Sequence, residues 1–193
     1  MKWNDYKESI KESLDLFEFD SGLLDILKGS INKKQKIFVA GNGGSAAIAS
    51  HYACDLSKGA TNDWSTNFKR YKVICLSSNI GYMTAISNDE HYDSVFQQQL
   101  VNLAEPKDIV TLISSSGNSP NIVKAAKWAK ENDLYVIGIT GFEGGKLKEI
   151  SDYSAHVPVK SYEISEDIHQ IFGHYITLFL KNNGEKNPNM IKL

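Results

Sequence analysis

The 193-residue chain is poor in cysteine, in proline and in excess charge of either sign, and each shortage excludes a class of protein. Its two cysteines, Cys54 and Cys75, rule out a disulfide-built scaffold and lack metal-type pair spacing, so both are predicted to be small buried hydrophobes in a cytosolic protein. The 21 basic and 23 acidic residues leave a net charge of −2, which argues against binding to nucleic acid or to an anionic membrane. No apolar run approaches the roughly 20 residues of a membrane span.

Short β-branched runs alternate with helix-length segments, a pattern typical of an α/β fold. Their number predicts a five-stranded parallel sheet, doubly wound and flanked by helices in three layers. The predicted strands are residues 37–40, 71–76, 108–113, 135–140 and 156–159. Because proline cannot donate to a ladder, Pro158 predicts that the last strand lies at an edge or ends early.

Helical segments precede and follow the predicted sheet. Residues 3–31 form an N-terminal helical segment with a predicted break at 20–22, and residues 162–181 form one long helix. The long helix is apolar on more than one face, so it is predicted to pack against another subunit as well as the core. Three residues are expected to form the exposed patch of an isolated chain: Ile171, Ile176 and Phe179.

Two loops have the composition of a phosphate site. Residues 41–47 read Gly-Asn-Gly-Gly-Ser-Ala-Ala and residues 114–120 read Ser-Ser-Ser-Gly-Asn-Ser-Pro, each between a predicted strand and helix. Free N–H groups and a helix dipole at that position favour an anion. Neither loop is a Walker A or a dinucleotide fingerprint, so the predicted ligand is one phosphate on a small molecule. The alternative is that Ser119 caps a helix and the glycines only make turns.

Acids and histidines at helical spacing form a second candidate site. His51 and Asp55 are four residues apart, so they share a helix face and make half of a workable zinc site. Glu166 and His174 are eight residues apart, roughly 12 Å along a helix. Each has an ordinary structural alternative: a core histidine at 51, a surface pair of Asp55 with Lys58, interface packing at 174 and solvated charge at 166.

Several other charged side chains are interpreted as structural. His169 is predicted to have a structural role, and His91 and His156 are taken as surface residues. Lys146 and Lys148 are interpreted as solvated helix charge.

An ordered set of motifs carries a family resemblance. His51 and an acid at 55 follow the first loop, the serine loop comes next, and Thr-Gly-Phe-Glu-Gly-Gly at 140–145 precedes Glu-Asp-Ile-His at 166–169 and then His174. This set resembles the sugar isomerase (SIS) domain family, and within it the phosphoheptose isomerases, over nearly the whole chain. The resemblance implies a single SIS domain over residues 1–193. Its implied parts are an N-terminal helical segment at 1–34, a sheet-and-helix core at 35–181 and a tail at 182–193.

The resemblance also implies an activity and an assembly. The implied protein is a homotetramer with active sites between subunits, which converts sedoheptulose 7-phosphate to D-glycero-D-manno-heptose 7-phosphate. Its implied substrate-binding residues are Asn42, Gly43, Ser45, Asp89, Ser114, Ser115, Ser116 and Ser119. The resemblance implies one zinc ion per site, with four ligands: His51, Asp55, Glu166 and His174.

The chain departs from the family pattern at three places. Asp55 stands where the family usually has glutamate, Glu166 stands where it has glutamine, and Lys58-Gly59 replaces Gly-Arg, with about five extra residues before position 72. Two alternatives therefore stay open: a non-catalytic SIS module that senses a sugar phosphate or binds a protein, and an isomerase of a different sugar phosphate.

Isomerisation moves a proton between adjacent carbons through an enediol, which requires a base near carbon and an acid near oxygen. Asp55 and Glu166 are the candidate bases and His174 is the candidate acid. A divalent ion would polarise the carbonyl.

Overall fold

The computed structural model describes residues 1–61, 65 and 69–183. Within them the strands are β1 (Glu18–Phe19), β2 (Lys36–Gly41), β3 (Lys72–Cys75), β4 (Ile109–Ser114), β5 (Tyr135–Thr140) and β6 (Tyr153–His156). The helices are α1 (Trp3–Leu16), α2 (Gly22–Lys33), α3 (Gly44–Cys54), α4 (Ile80–Asp89), α5 (Gln97–Leu103), α6 (Pro120–Glu131), α7 (Gly145–Ile150) and α8 (Tyr162–Lys181).

The sheet has the order β1-β6-β5-β4-β2-β3, in which the last five strands are parallel and β1 is antiparallel to β6. The predicted five-stranded parallel sheet is therefore confirmed, with one further strand. Gly41 aligns with Ile113, and Ser114 aligns with Thr140. The loops that follow β2, β4 and β5 consequently meet at one edge of the sheet, where open α/β proteins bind ligands.

The prediction needs two corrections, one to the bounds of a strand and one for a strand that was missed. The last strand is Tyr153–His156 rather than 156–159, because the chain leaves the sheet before Pro158, which has no N–H to donate. The predicted helix break at 20–22 is confirmed, but the chain just before it forms β1 against β6. A two-residue strand has no period to reveal it.

Strand residues alternate between two buried faces of the sheet. Ile37 and Val39 pack in a core with residues of α2, α3 and α8, whereas Phe38 and Ala40 pack in a core with residues of α5, α6 and α7. Helices therefore cover both faces, as predicted for three layers. The arrangement places α3 and α8 on the same face.

Helix α8 has its predicted bounds but less exposed apolar surface than predicted. Ile176 is buried at 2% exposure, which corrects its place in the expected patch, while Ile171 is 42% exposed. Phe179 is partly buried against the core. Cys54 is exposed, contrary to prediction, and Cys75 is partly buried.

None of the helices in the described ranges is both long and apolar enough to cross a membrane. Residues 184–193 of the predicted tail lie outside the described residues, as do residues 62–64 and 66–68 of the segment that holds the extra residues.

Candidate active site

The first loop joins β2 to α3 in a shape that requires glycine. Gly43 precedes the helix at φ +55°, a left-handed backbone that glycine adopts without a side-chain penalty. The Asn42 amide exchanges two hydrogen bonds with the Asn121 amide, at 2.8 and 2.9 Å, and Asn42 Oδ1 also accepts from the Tyr92 hydroxyl at 2.9 Å. The two bonds with Asn121 fasten the loop to the first turn of α6.

The second loop collects hydroxyls between β4 and α6. Ser114 Oγ and Ser119 Oγ are 3.3 Å apart, and Gly117 makes the turn between them at φ +64°. Ser115 Oγ is buried without a hydrogen-bond partner among the described residues. An unpaired buried hydroxyl is costly, so a ligand atom that bonds to it is favoured.

The two loops enclose one cavity of about 270 Å³. Every predicted substrate-binding residue except Asp89 lines it: Asn42, Gly43, Ser45, Ser114, Ser115, Ser116 and Ser119. Sequence reasoning did not foresee Tyr162, which also lines it, because no local motif marks that residue. The described lining contains no Lys, Arg or His, so hydrogen bonds from backbone N–H groups and hydroxyls would have to stabilise the charge of a phosphate there.

Glu166 lies in this serine-lined cavity. Its carboxylate is so close to α3 that a Cβ built on Gly44 would lie 2.1 Å from Glu166 Oε2. Burial raises the pKa of Glu166, and the charges of Glu163 and Asp167 raise it further. The structure therefore places this carboxylate partly buried at the candidate phosphate site rather than in bulk solvent.

His51, Asp55 and His174 form a separate cluster with metal-binding geometry. Asp55 Oδ2 is 3.4 Å from His51 Nε2 and 3.8 Å from His174 Nε2, and the three ligand atoms lie within 4.8 Å of one another. Two ligands of a tetrahedral Zn²⁺, each about 2.0–2.1 Å from the ion, lie roughly 3.3 Å apart. The three side chains therefore fit a divalent ion with small adjustments. His51 is 47% exposed, which removes the core-histidine alternative.

Gln170 is a neighbour of this cluster that sequence reasoning missed. Its Nε2 is 3.1 Å from His174 Nε2, one helical turn away. Glu166 is not one of the three clustered residues. It lies two helical turns before His174 on α8, and its carboxylate contacts Gly44 of α3. Gln170 could have been predicted from its spacing, because it precedes the candidate acid His174 by four residues on the same predicted helix. Glu166 as a metal ligand stays a prediction.

The serine-lined cavity and the cluster lie at two levels of one packed helix pair. The Tyr52 hydroxyl of α3 donates to the His169 carbonyl of α8 at 2.6 Å. A Cβ on Gly173 would lie 1.8 Å from the Tyr52 ring, so this ring of α3 packs directly on the α8 backbone at Gly173. Asp55 opens a π-helical turn, Asp55–Gly59, that continues α3 beyond this contact.

Asp89 is apart from both groups within one chain. It ends α4, is exposed, and accepts a 2.8 Å hydrogen bond from the neighbouring Asn88 amide. It does not line the serine-lined cavity. Its contact with substrate stays a prediction.

Two histidines lie buried beneath the site. His156, predicted on the surface, is only 9% exposed, and its Nδ1 is 3.0 Å from the Thr140 hydroxyl. His169 is fully buried, and neither ring nitrogen completes a hydrogen bond with the described residues. Desolvation, opposed by the Thr140 backbone and aided by the charge of His156, lowers the pKa of His169 to about 4. The predicted structural role of His169 agrees with a neutral core ring.

We expect the free energy of unfolding to fall by about 3 kcal/mol as the pH falls from 6.5 to 4, because unfolded His169 takes up a proton that the folded ring refuses. The stabilisation is complete above the unfolded pKa. His169→Leu should remove this acid dependence in urea titrations at several pH values, and exposed His91→Gln should retain it. An unchanged pH profile in His169→Leu would contradict the assignment.

The architecture and the two groups of side chains define a class of protein. An open parallel sheet with two glycine- and serine-rich loops at one edge is typical of α/β proteins that bind phosphate groups, and residues 21–141 match the SIS domain family model.

Comparisons with known proteins narrow the class. The chain is 33% identical over 188 residues to the phosphoheptose isomerase of Helicobacter hepaticus, covering 97% of this chain and 94% of the relative. It is 37% identical over 155 residues to a probable phosphoheptose isomerase of Thermoplasma acidophilum, covering 80% and 83%. A solved phosphoheptose isomerase from Francisella tularensis superposes with a TM-score of 0.82 at 25% identity, covering 93% of this chain and 96% of the other. The chain therefore belongs to the phosphoheptose isomerase family of SIS-domain proteins.

Proposed function

We propose that the chain is a cytosolic aldose–ketose isomerase that converts sedoheptulose 7-phosphate to D-glycero-D-manno-heptose 7-phosphate. The observation that carries the proposal is the placement of an anion cavity and an acid–histidine cluster at two levels of the same helix pair. The phosphoheptose isomerase relatives support the choice of substrate.

The separation of the two groups suits a long sugar phosphate. His51 follows Ser45 by six residues, about 9 Å of helix, and His174 follows Glu166 by eight, about 12 Å. With carbon–carbon bonds of about 1.5 Å, an extended seven-carbon chain and its phosphate ester span roughly 10 Å. A phosphate bound by the serines would leave C1 and C2 near the cluster.

Each group of residues then has a definite task. Ser45, Ser116 and Ser119, with the free N–H groups of α3 and α6, hold the phosphate and exclude water from it. Asp55 removes the proton from carbon and returns it to the neighbouring carbon, while His174 exchanges a proton with the oxygens. His51, Asp55 and His174 would hold a zinc ion, which supplies polarisation of the carbonyl when bound. The His174 nitrogen that ligates the ion then carries no proton, so the acid role of His174 belongs to the metal-free site.

Glu166 is the second candidate base and the fourth proposed metal ligand. It lies on the same helix as His174, and its raised pKa favours proton uptake. Its side chain would have to turn away from Gly44 to reach the cluster. Asp55 is already in contact with both histidines, which makes it the stronger candidate.

We also propose a homotetramer whose subunits complete one another's sites. An apolar groove between α1 and α8 supports it, with the lining Leu14, Phe17, Phe19, Ile168, Ile171, Phe172 and Tyr175. Ile80 is 73% exposed at the start of α4, the helix that ends in Asp89. Exposed apolar surface of this kind marks an interface. Asp89 would then reach the sugar bound by a neighbouring subunit.

The phosphate assignment predicts the effect of two serine substitutions. Ser116→Ala/Ser119→Ala should weaken binding of the sugar phosphate by about 1–3 kcal/mol, the value of hydrogen bonds to a charged group. Calorimetry measures this. Ser9→Ala/Ser87→Ala removes two exposed hydroxyls elsewhere and should bind as the wild type does. Equal affinity in both double variants would remove the serine-lined cavity as the phosphate site.

The substrate is tested with five-, six- and seven-carbon ketose phosphates, each with and without zinc. The expected result is the highest kcat/KM for the seven-carbon substrate with zinc present. Faster turnover of a shorter substrate would assign the chain to another sugar phosphate. Phosphate binding without turnover of any member would identify a non-catalytic sensor.

A further inference from the structure

A second polar pocket lies beside the serine loop. Its volume is about 310 Å³, and it is lined by Asn118, Pro120, Val123, Lys124, Lys127 and Lys146. The α6 residues recur at helical spacing, so they form one face of that helix, opposite the first turn of α7. This lysine pocket shares no lining residue with the serine-lined cavity.

The lysine pocket concentrates uncompensated positive charge. Lys36 pairs with Asp108 and Lys130 pairs with Asp152. Lys124, Lys127 and Lys146, by contrast, have no carboxylate within 4.0 Å among the residues described. On a chain of net charge −2, three like charges around one concavity repel each other unless an anion joins them.

One of these lysines is fixed at the pocket by a buried group. Lys124 Nζ donates to Ser94 Oγ at 2.9 Å, and Ser94 is only 2% exposed. The hydroxyl therefore holds one ammonium in position before any ligand arrives, which lowers the entropy lost on binding.

Hydrogen bonds connect the lysine pocket to the serine loop. Asn118 Nδ2 donates to the Ser116 carbonyl at 3.0 Å, and Asn118 Oδ1 accepts from the Lys146 backbone N–H at 3.1 Å. Asn118 thus lines one pocket while its amide braces the loop that lines the other. A displacement of Lys146 can therefore be transmitted to the serine loop through the Asn118 side chain.

We propose that the lysine pocket is a second anion site, which binds a small molecule bearing a diphosphate group. The three ammonium groups match its multiple negative charges, and the volume lies at the lower end of the range for small-ligand sites. The site is distinct from the one that holds substrate phosphate. Because like charges on both sides of the serine loop repel each other, its occupation weakens binding of substrate, a consequence that rests on the proposed function.

Inorganic pyrophosphate is the probe, and the Ser116→Ala/Ser119→Ala protein is the background, because binding at the competing phosphate site is weakened there. We expect saturable binding by calorimetry in that background. Adding Lys127→Gln/Lys146→Gln should weaken it at least tenfold. Adding Lys33→Gln/Lys148→Gln instead, which removes two exposed charges outside the pocket, should change it less than twofold.

Three results would overturn the proposal: no saturable binding at about 1 mM pyrophosphate, equal binding with and without Lys127 and Lys146, or equal loss in the two lysine pairs. Failure of the proposed function would be seen separately, as absent turnover of sugar phosphates. In active protein, pyrophosphate should raise the KM for substrate. Lys127→Gln/Lys146→Gln should reduce that increase.

Discussion

Asp55→Asn is expected to lower kcat by about 10²–10⁴-fold while phosphate binding stays within twofold of the wild type. The amide keeps the size of the side chain but cannot accept a proton from carbon. Asp55 lies three turns of helix from the serine-lined cavity, so its neutralisation does not alter the groups that hold phosphate. Steady-state kinetics and calorimetry with inorganic phosphate measure the two quantities.

Glu166→Gln is the contrasting variant. It removes a negative charge from the serine-lined cavity, so phosphate binding should tighten by roughly 1 kcal/mol, about fivefold. Its kcat should stay within tenfold of the wild type if Asp55 alone is the base. A fall in kcat as large as that of Asp55→Asn would show that Glu166 shares the proton transfer. Full activity in Asp55→Asn would contradict the assignment of Asp55.

Gly173→Ala is expected to destabilise the protein by about 1–3 kcal/mol and to lower kcat/KM at least 100-fold. The added Cβ would lie 1.8 Å from the Tyr52 ring, which is 3% exposed and held by the bond to the His169 carbonyl. Helices α3 and α8 must then separate, which displaces His51 and Asp55 relative to His174. Thermal melts and kinetics measure both effects.

Gly29→Ala is the matched control, since its Cβ would meet only Lys33 Nζ, at 4.0 Å, on a helix outside the site. It should leave activity unchanged and stabilise the protein by up to about 1 kcal/mol. Tyr52→Leu combined with Gly173→Ala should recover part of the lost stability. Wild-type melting and activity in Gly173→Ala would contradict the proposed role of this helix contact.

Much of the fold could be predicted because its period is in the sequence. The β-branched runs at 37–40 and 108–113 correspond to strands that are buried on both faces. The apolar pattern over 162–181 predicts a helix whose first and last residues are those of α8. The errors fall where local pattern has little to say. Strand β1 is too short to show alternation, and Ile176 is covered by tertiary packing that apolar spacing does not reveal.

The parts of the candidate site that could be predicted are those formed by residues close together in the sequence. The serines of one loop and the pair His51 and Asp55 lie together because a turn and a helix impose it. The relation between elements was not predictable. Only the contact of α3 with α8 places Glu166 at the phosphate loop and brings His174 to Asp55.

The most direct measurement is NMR of sedoheptulose 7-phosphate incubated in D₂O with the zinc-loaded wild-type protein. The proposed enediol route predicts D-glycero-D-manno-heptose 7-phosphate, with solvent deuterium at C2 in those turnovers in which the proton on Asp55 exchanges with solvent before its return. Asp55→Asn should form this product at least 100-fold more slowly. Unchanged substrate after long incubation, with phosphate still bound in calorimetry, would contradict the isomerase function.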